Sequence, residues 1–209
     1  MNGKIKCTKT YRYSSFGDVN NADFLIYVLH GYGQLAPYFI RKFHGLPSKY
    51  CVIAPEGMHR FYLNGSSGRV GASWMTKEER EDDILDNLNW LSTLHDEITV
   101  RKSFKKVIIL GFSQGGATAV RWFQSGMISA DHLMIWASVY PPDLDPNKEI
   151  QLHEKEHFFF IGKDDEFYDA DQQNELLSFY NSRGFKTVHF EGPHDINPTE
   201  LTNVLAGLT

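Results

Sequence analysis

The chain has 209 residues, 42% of them hydrophobic and 22% charged, with a formal net charge of -5 at pH 7. That length can bury a sizeable core and suits one domain, taken as residues 1–209. The acidic balance and the lack of a long basic run argue against binding nucleic acid through its phosphates, and no apolar segment is long enough to expect insertion into a membrane. The N-terminal MNGKIKCTKT lacks the apolar stretch of a secretory leader, and two cysteines make no disulfide framework. A cytoplasmic location is the expectation, with Cys51, inside an apolar run, as a buried thiol.

In chain order the first element is the alternating stretch YRYSSF, residues 11–16, which reads as a leading antiparallel edge strand. Then come the near-continuous apolar runs FLIYVL (24–29), YCVIA (50–54), VIIL (107–110), LMIWA (133–137) and FFFI (158–161). Runs of this kind suit parallel strands covered on both faces. The more polar Val188–Phe190 reads as a strand nearer an edge. Between the strands lie helical patterns. Thr76-Lys77-Glu78-Glu79 has the form of a capping box before Ile84, Leu85, Leu88, Leu91 and Leu94 at helical spacing. Further helices are expected over Ala117–Ser125, ending at Gly126, over Ala170–Ser182, ending near Gly184, and over Pro198–Leu208. Residues 55–75, with four glycines and with Phe61, Tyr62 and Trp74, form the least regular stretch and read as a long loop. The alternation predicts an α/β fold, a mostly parallel central sheet with helices on both faces. Only about 20 residues separate the LMIWA and FFFI runs, too few for a large lid.

The chemistry concentrates in Gly111-Phe112-Ser113-Gln114-Gly115, which fits G-x-S-x-G directly after an apolar strand and before a helix. Such an elbow turns so tightly that small residues are needed around the serine, whose hydroxyl it exposes at the carboxyl end of the sheet. A serine needs a base and the base needs a carboxylate. His194 follows the last strand, and Asp164 and Asp165 follow the FFFI run. The order Ser, Asp, His is that of α/β-hydrolases. The turn Leu29-His30-Gly31-Tyr32-Gly33 can present the Tyr32 amide, and the Gln114 amide follows the serine; together they are the expected oxyanion donors. On this reading the Gln114 side chain is the expendable part of the residue. His30 reads as a structural histidine. The histidines show no metal-ligand spacing, and neither a metal nor a cofactor is expected. Trp74, Tyr140, Phe167 and Tyr168 are candidate substrate-binding walls.

These residues, with Ala54-Pro55, Asn64-Gly65, Ala72-Ser73-Trp74 and Gly192-Pro193-His194, resemble the phospholipase/carboxylesterase family of α/β-hydrolases, which includes the acyl-protein thioesterases. The resemblance runs over roughly residues 24–208. It implies a three-layer α/β-hydrolase fold and a cofactor-free serine esterase acting on a small-molecule acyl ester, with thioesters and lysophospholipids as further candidates. It carries the triad onto Ser113, Asp165 and His194, with Asp164 the runner-up. Gln34 stands where the family often has Asp, and Met75 follows Trp74 in place of Phe; both departures lie on the substrate side. The rival readings are a non-catalytic scaffold that binds a ligand or partner, and an acyltransferase or peptidase-like variant of the same triad.

Overall fold

A computed structural model describes residues 3–100, 102–145 and 155–208. Its frame is a seven-stranded sheet. The strands are β1 (Tyr13–Phe16), β2 (Phe24–Leu29), β3 (Tyr50–Pro55), β6 (Lys106–Phe112), β7 (His132–Trp136), β8 (His157–Gly162) and β9 (Phe185–Phe190), in the order β1-β3-β2-β6-β7-β8-β9. Strand β1 pairs antiparallel with β3, from Tyr13 opposite Pro55 to Phe16 opposite Val52. The remaining pairings are parallel. β1 and β9 are the two edges, and both carry the more polar patterns expected of them.

The helices are α1 (Ala36–Phe39), continued by a 3-10 turn over Ile40–Phe43, then α2 (Arg80–Thr99), α3 (Gln114–Gln124), α4 (Ala170–Asn181) and α5 (Pro198–Gly207). Period-two alternation sends each buried strand's side chains to two cores. Leu25, Tyr27, Leu29, Ile109, Phe159 and Ile161 pack with Trp90, Trp122 and Tyr180 of α2, α3 and α4. Ile26, Val28, Ile108, Leu110, Phe112 and Phe160 pack with Phe39, Phe43, Leu201 and Leu205 on the other face. Each fully buried side chain of this size contributes about 1.5–3 kcal/mol. The sheet thus lies between two helical layers, the three-layer arrangement of an α/β-hydrolase. Cys51 is a buried free thiol, raised to about 11 by its burial. Among the described residues no helix is long and apolar enough to cross a membrane.

Three expectations need correction. Residues 55–75 are not a plain loop: β4 (His59–Tyr62) and β5 (Val70–Ser73) pair as an antiparallel hairpin. Its polar, glycine-containing strands hide the period-two signal. The TKEE stretch does not cap α2. The N-cap is Glu79, in the left-handed region at φ 51 and without a side-chain cap bond, while the Thr76 hydroxyl donates to the Glu78 carbonyl. A true capping box stands at α4, where Asp169 accepts from the Gln172 amide and the Gln172 side chain accepts from the Asp169 amide. The helix α1 and its 3-10 extension were not expected, because four-residue elements are too short to show a helical period. Part of the β7–β8 connection, residues 146–154, lies outside the described residues.

Candidate active site

Strand β6 ends at Phe112 and α3 begins at Gln114, so Ser113 alone makes the turn between them. It sits at φ 52, ψ -122, a conformation that costs a non-glycine residue about 1–3 kcal/mol and must be held by its surroundings. The Ser113 amide donates to the Trp136 carbonyl at 2.9 Å, and its carbonyl accepts from the Gly116 amide at 2.9 Å. The first turn of α3 runs against β2. A Cβ on Gly115 would stand 2.4 Å from the Leu29 carbonyl oxygen, so only glycine allows the approach. The loop after β2 is also close, though less so: a Cβ on Gly31 would meet the Phe112 ring at 3.1 Å and the Ser113 Cβ at 3.2 Å. The residues 30–34 therefore lie beside the serine.

The amides of Tyr32 and Gln114 have no acceptor among the described residues. The turn that presents Tyr32 is fixed from several directions. The Gly33 amide donates to the Ala72 carbonyl at 2.9 Å, the Ala72 amide to the Gln34 carbonyl at 3.1 Å, and the Gly31 amide to the Gln34 Oε1 at 3.0 Å. His30 is wholly buried. The Gly57 amide donates to its Nε2 at 2.9 Å, so the proton resides on Nδ1, which donates to the Gly31 carbonyl at 2.7 Å. Burial lowers its pKa to about 4, and the ring stays neutral at ordinary pH. This is a positioning histidine, as its sequence context suggested.

The Gln114 side chain is bonded to the end of the hairpin. Its Nε2 donates to Ser73 Oγ at 2.9 Å and to the Met75 carbonyl at 3.1 Å, and its Oε1 accepts from the Trp74 amide at 3.2 Å. The residue after the serine thereby binds the end of the hairpin to the elbow. Trp74, expected as a substrate wall, is 0% exposed. Its indole tilts against His30 at 5.1 Å and donates Nε1–H to the His30 carbonyl at 2.8 Å. A large ring with its one polar group satisfied is stable in the core, and this one supports the loop from behind.

Across the site, Asp165 follows β8. Its Oδ2 meets His194 Nδ1 at 2.7 Å and its Oδ1 accepts from the Phe167 amide at 2.9 Å. Asp165 is 5% exposed, whereas Asp164 is exposed and donates its amide to the Gly192 carbonyl at 3.0 Å. The carboxylate beside the imidazole is therefore that of Asp165. The His194 amide donates to Glu166 Oε2 at 3.2 Å, and the imidazole packs between the Phe112 ring at 4.9 Å and the Phe167 ring at 4.5 Å. Since Phe112 precedes Ser113, the imidazole lies next to the elbow.

Tyr140 and Tyr168 line one groove of about 380 Å³ with Val139, Leu176 and Phe179. Tyr168 also lies 6.3 Å from the His194 ring. Phe167 is 66% exposed and touches His194 without lining that groove. The loop carrying Val139 and Tyr140 is anchored by buried Arg121 of α3, which makes two bonds to Asp143, Nε to Oδ2 at 2.9 Å and a terminal nitrogen to Oδ1 at 2.6 Å. Arg80 joins the same oxygen at 2.6 Å, and Arg121 holds the Asp143 carboxyl below the usual range. The sequence reading missed Leu176, Phe179, Arg121 and the Gln114 side chain; only the first two, at i and i+3 on a helix, left a pattern that pointed to a shared face. Among the described residues no group of three or more His, Cys, Asp or Glu could hold a metal ion.

The arrangement has the parts of acyl transfer: a strained, half-buried serine, an imidazole oriented by a buried carboxylate, and two unengaged amides flanking the serine. No curated protein sequence matches the chain at a significant level. Solved structures of similar shape include a carboxylesterase from Mesorhizobium loti (TM-score 0.72, 16% identity, 94% of this chain and 95% of that one). Acyl-protein thioesterase 2 from Zea mays is also similar (TM-score 0.69, 16% identity, 94% and 97%), as is a phospholipase/carboxylesterase from Dyadobacter fermentans (TM-score 0.63, 17% identity, 95% and 96%). At these identities the likeness concerns the fold, an α/β-hydrolase. The profile of the FSH1 serine hydrolases matches residues 21–204, nearly the whole described fold, and the chain belongs to that family.

Proposed function

We propose that this serine hydrolase is a carboxylesterase that acts through an acyl-enzyme on Ser113. The observation that carries the reading is the 2.7 Å contact of His194 Nδ1 with buried Asp165, next to the strained elbow. With Nδ1 engaged, Nε2 is the nitrogen left for the serine. It takes the Oγ proton as Oγ attacks the ester carbonyl, then returns that proton to the departing alcohol; water repeats the sequence on the acyl-enzyme. The amides of Tyr32 and Gln114 hold the tetrahedral oxyanion, and loss of one such donor costs about 100- to 1,000-fold in kcat. The groove at Val139, Tyr140 and Tyr168 takes the acyl chain. Its volume of about 380 Å³ supports short-to-medium chains. The substrates are small acyl esters, with thioesters and lysophospholipids as further members of the same chemistry.

The test combines labelling by a fluorophosphonate with turnover of p-nitrophenyl esters of increasing chain length. Wild type is expected to label and to favour short-to-medium chains, while Ser113→Ala does neither. Equal behaviour of the two proteins would overturn the proposal.

A further inference from the structure

A second cavity opens beside the loop that follows β2. It has a volume of about 720 Å³ and borders Gly33 and Gln34, the residues that follow Tyr32 in the oxyanion loop. Tyr38, Phe39, Lys42 and Arg69 also line it, and none of its lining residues is acidic. Arg69 reaches it from the turn of the β4–β5 hairpin. Among the described residues the Arg69 guanidinium has no hydrogen-bond or ion-pair partner. Lys42 pairs with Asp195 at 2.6 Å, and Arg41 stacks on the Tyr38 ring at 4.9 Å. Two cations, Lys42 and Arg69, therefore line the cavity, and only Lys42 is paired with a carboxylate, in a chain whose net charge is -5. The local sign opposes the global one, so the cluster is not a consequence of general composition.

The two cavities differ in kind. The groove over Tyr140 and Tyr168 is largely apolar, and the one over Gly33 is cationic. Ser113 is close to Gly31, two residues before Gly33 of the one cavity, and its neighbour Phe112 touches His194, whose ring lies 6.3 Å from Tyr168 of the other. Lys42 also links the cationic cavity to Asp195, the residue after His194. The leaving group takes its proton from His194, and through Lys42 and Asp195 the cationic cavity adjoins the loop that carries that imidazole.

We infer that the substrate is an ester with an apolar acyl chain and an anionic leaving group, whose oxyanion is held in the Gly33 cavity by Arg69. The inference rests on the esterase reading and adds the charge of the alcohol. The Ser113 Oγ bond to the acyl carbon forms as the bond to the leaving oxygen breaks. That oxygen takes the proton from His194 and leaves as an alcohol that still carries its anion. The planar guanidinium fork matches a carboxylate or phosphate at two points.

The experiment compares para-(butanoyloxy)benzoate with its neutral carboxamide, two esters with the same acyl group and similar leaving groups. Because Arg69 is exposed, wild type is expected to favour the benzoate by about 5-fold in kcat/KM, the scale of a screened ion pair. Arg69→Gln brings that ratio to about 1, Arg69→Lys retains part of it, and added salt lowers it in wild type. Lys105→Gln removes the same charge at the opposite end of β6 and keeps the wild-type ratio. A wild-type ratio near 1, or an undiminished ratio in Arg69→Gln, overturns the subsite while leaving the esterase standing. Failure to turn over either ester overturns the esterase reading itself.

Discussion

The two walls of the site are built differently. The acid–base wall is local: Asp165, Glu166 and Phe167 follow one strand, His194 follows the next, and bonds among these residues orient the imidazole. The oxyanion wall is distributed. The turn at Tyr32 is held by Ala72 of the hairpin, by Gly57 through His30, and by Gln114 through residues 73–75. A local wall can be read from short motifs, because its parts are neighbours in sequence or at matching strand ends. A distributed wall depends on segments about 40 residues apart, whose side chains look unremarkable until they meet.

Substitutions separate the two walls by size of effect. Ser113→Ala, common to both, is expected to lower kcat by about 10⁴- to 10⁶-fold and to abolish fluorophosphonate labelling, read as kcat with p-nitrophenyl butyrate. On the acid–base wall, Asp165→Asn should cost about 10⁴-fold in kcat, because the wrong tautomer of His194 is then favoured. Asp164→Asn should stay within about two-fold in the same assay. Equal losses for the two aspartates would mean that the local wall is wider than the one carboxylate. On the oxyanion wall, Gln114→Ala keeps the backbone amide and removes only the brace. We expect about a 10- to 100-fold loss in kcat and a lowered melting temperature, since small misplacements of a donor are costly. An unchanged kcat would show that the hairpin does not position this wall.

The smallest effect at neutral pH concerns stability. His30 and His157 are both lowered by burial from 6.5 to about 4. Between those values the unfolded chain holds more protons than the native one, so stability rises with pH. The contribution is complete above about pH 6.5 and is lost as the pH falls towards 4, up to about 3 kcal/mol per group. Urea unfolding between pH 4.5 and 7.5 should show this slope, and His30→Gln should reduce it by up to one proton. A slope unchanged in His30→Gln would mean that the ring is not held neutral by the oxyanion wall.

How much was legible follows the same division. The runs FLIYVL, VIIL and FFFI are apolar at every position because both faces of β2, β6 and β8 are covered, so they signal themselves without knowledge of any partner. Ser113 and Asp165 each stand just past such a run, whereas His194 follows the more polar edge strand β9. The hairpin β4–β5 was missed because Asn64, Gly65 and Gly68 read as loop, and its pairing is stabilised by contact with the Gly33 turn rather than by its own pattern. Trp74 reads as a substrate-binding wall from its place in that segment; its burial depends on His30, 44 positions away. The capping box was read at Thr76 when the working one was at Asp169, because the same four-residue spacing occurs at both and only the chain's path decides which forms.

By itself, then, the amino-acid order determined what depends on period and on neighbours: the parallel strands, the elbow glycines, the order of serine, aspartate and histidine. Tertiary structure alone decided what depends on long-range satisfaction of polar groups. It turned the Gln114 amide group into a brace, gave His30 a single tautomer, sent Trp74 inward, and left Arg69 facing a cavity without a partner among the described residues. The physical reason is that a buried donor or acceptor must find a partner wherever the fold offers one, and the partner's distance along the chain leaves no trace in the local pattern.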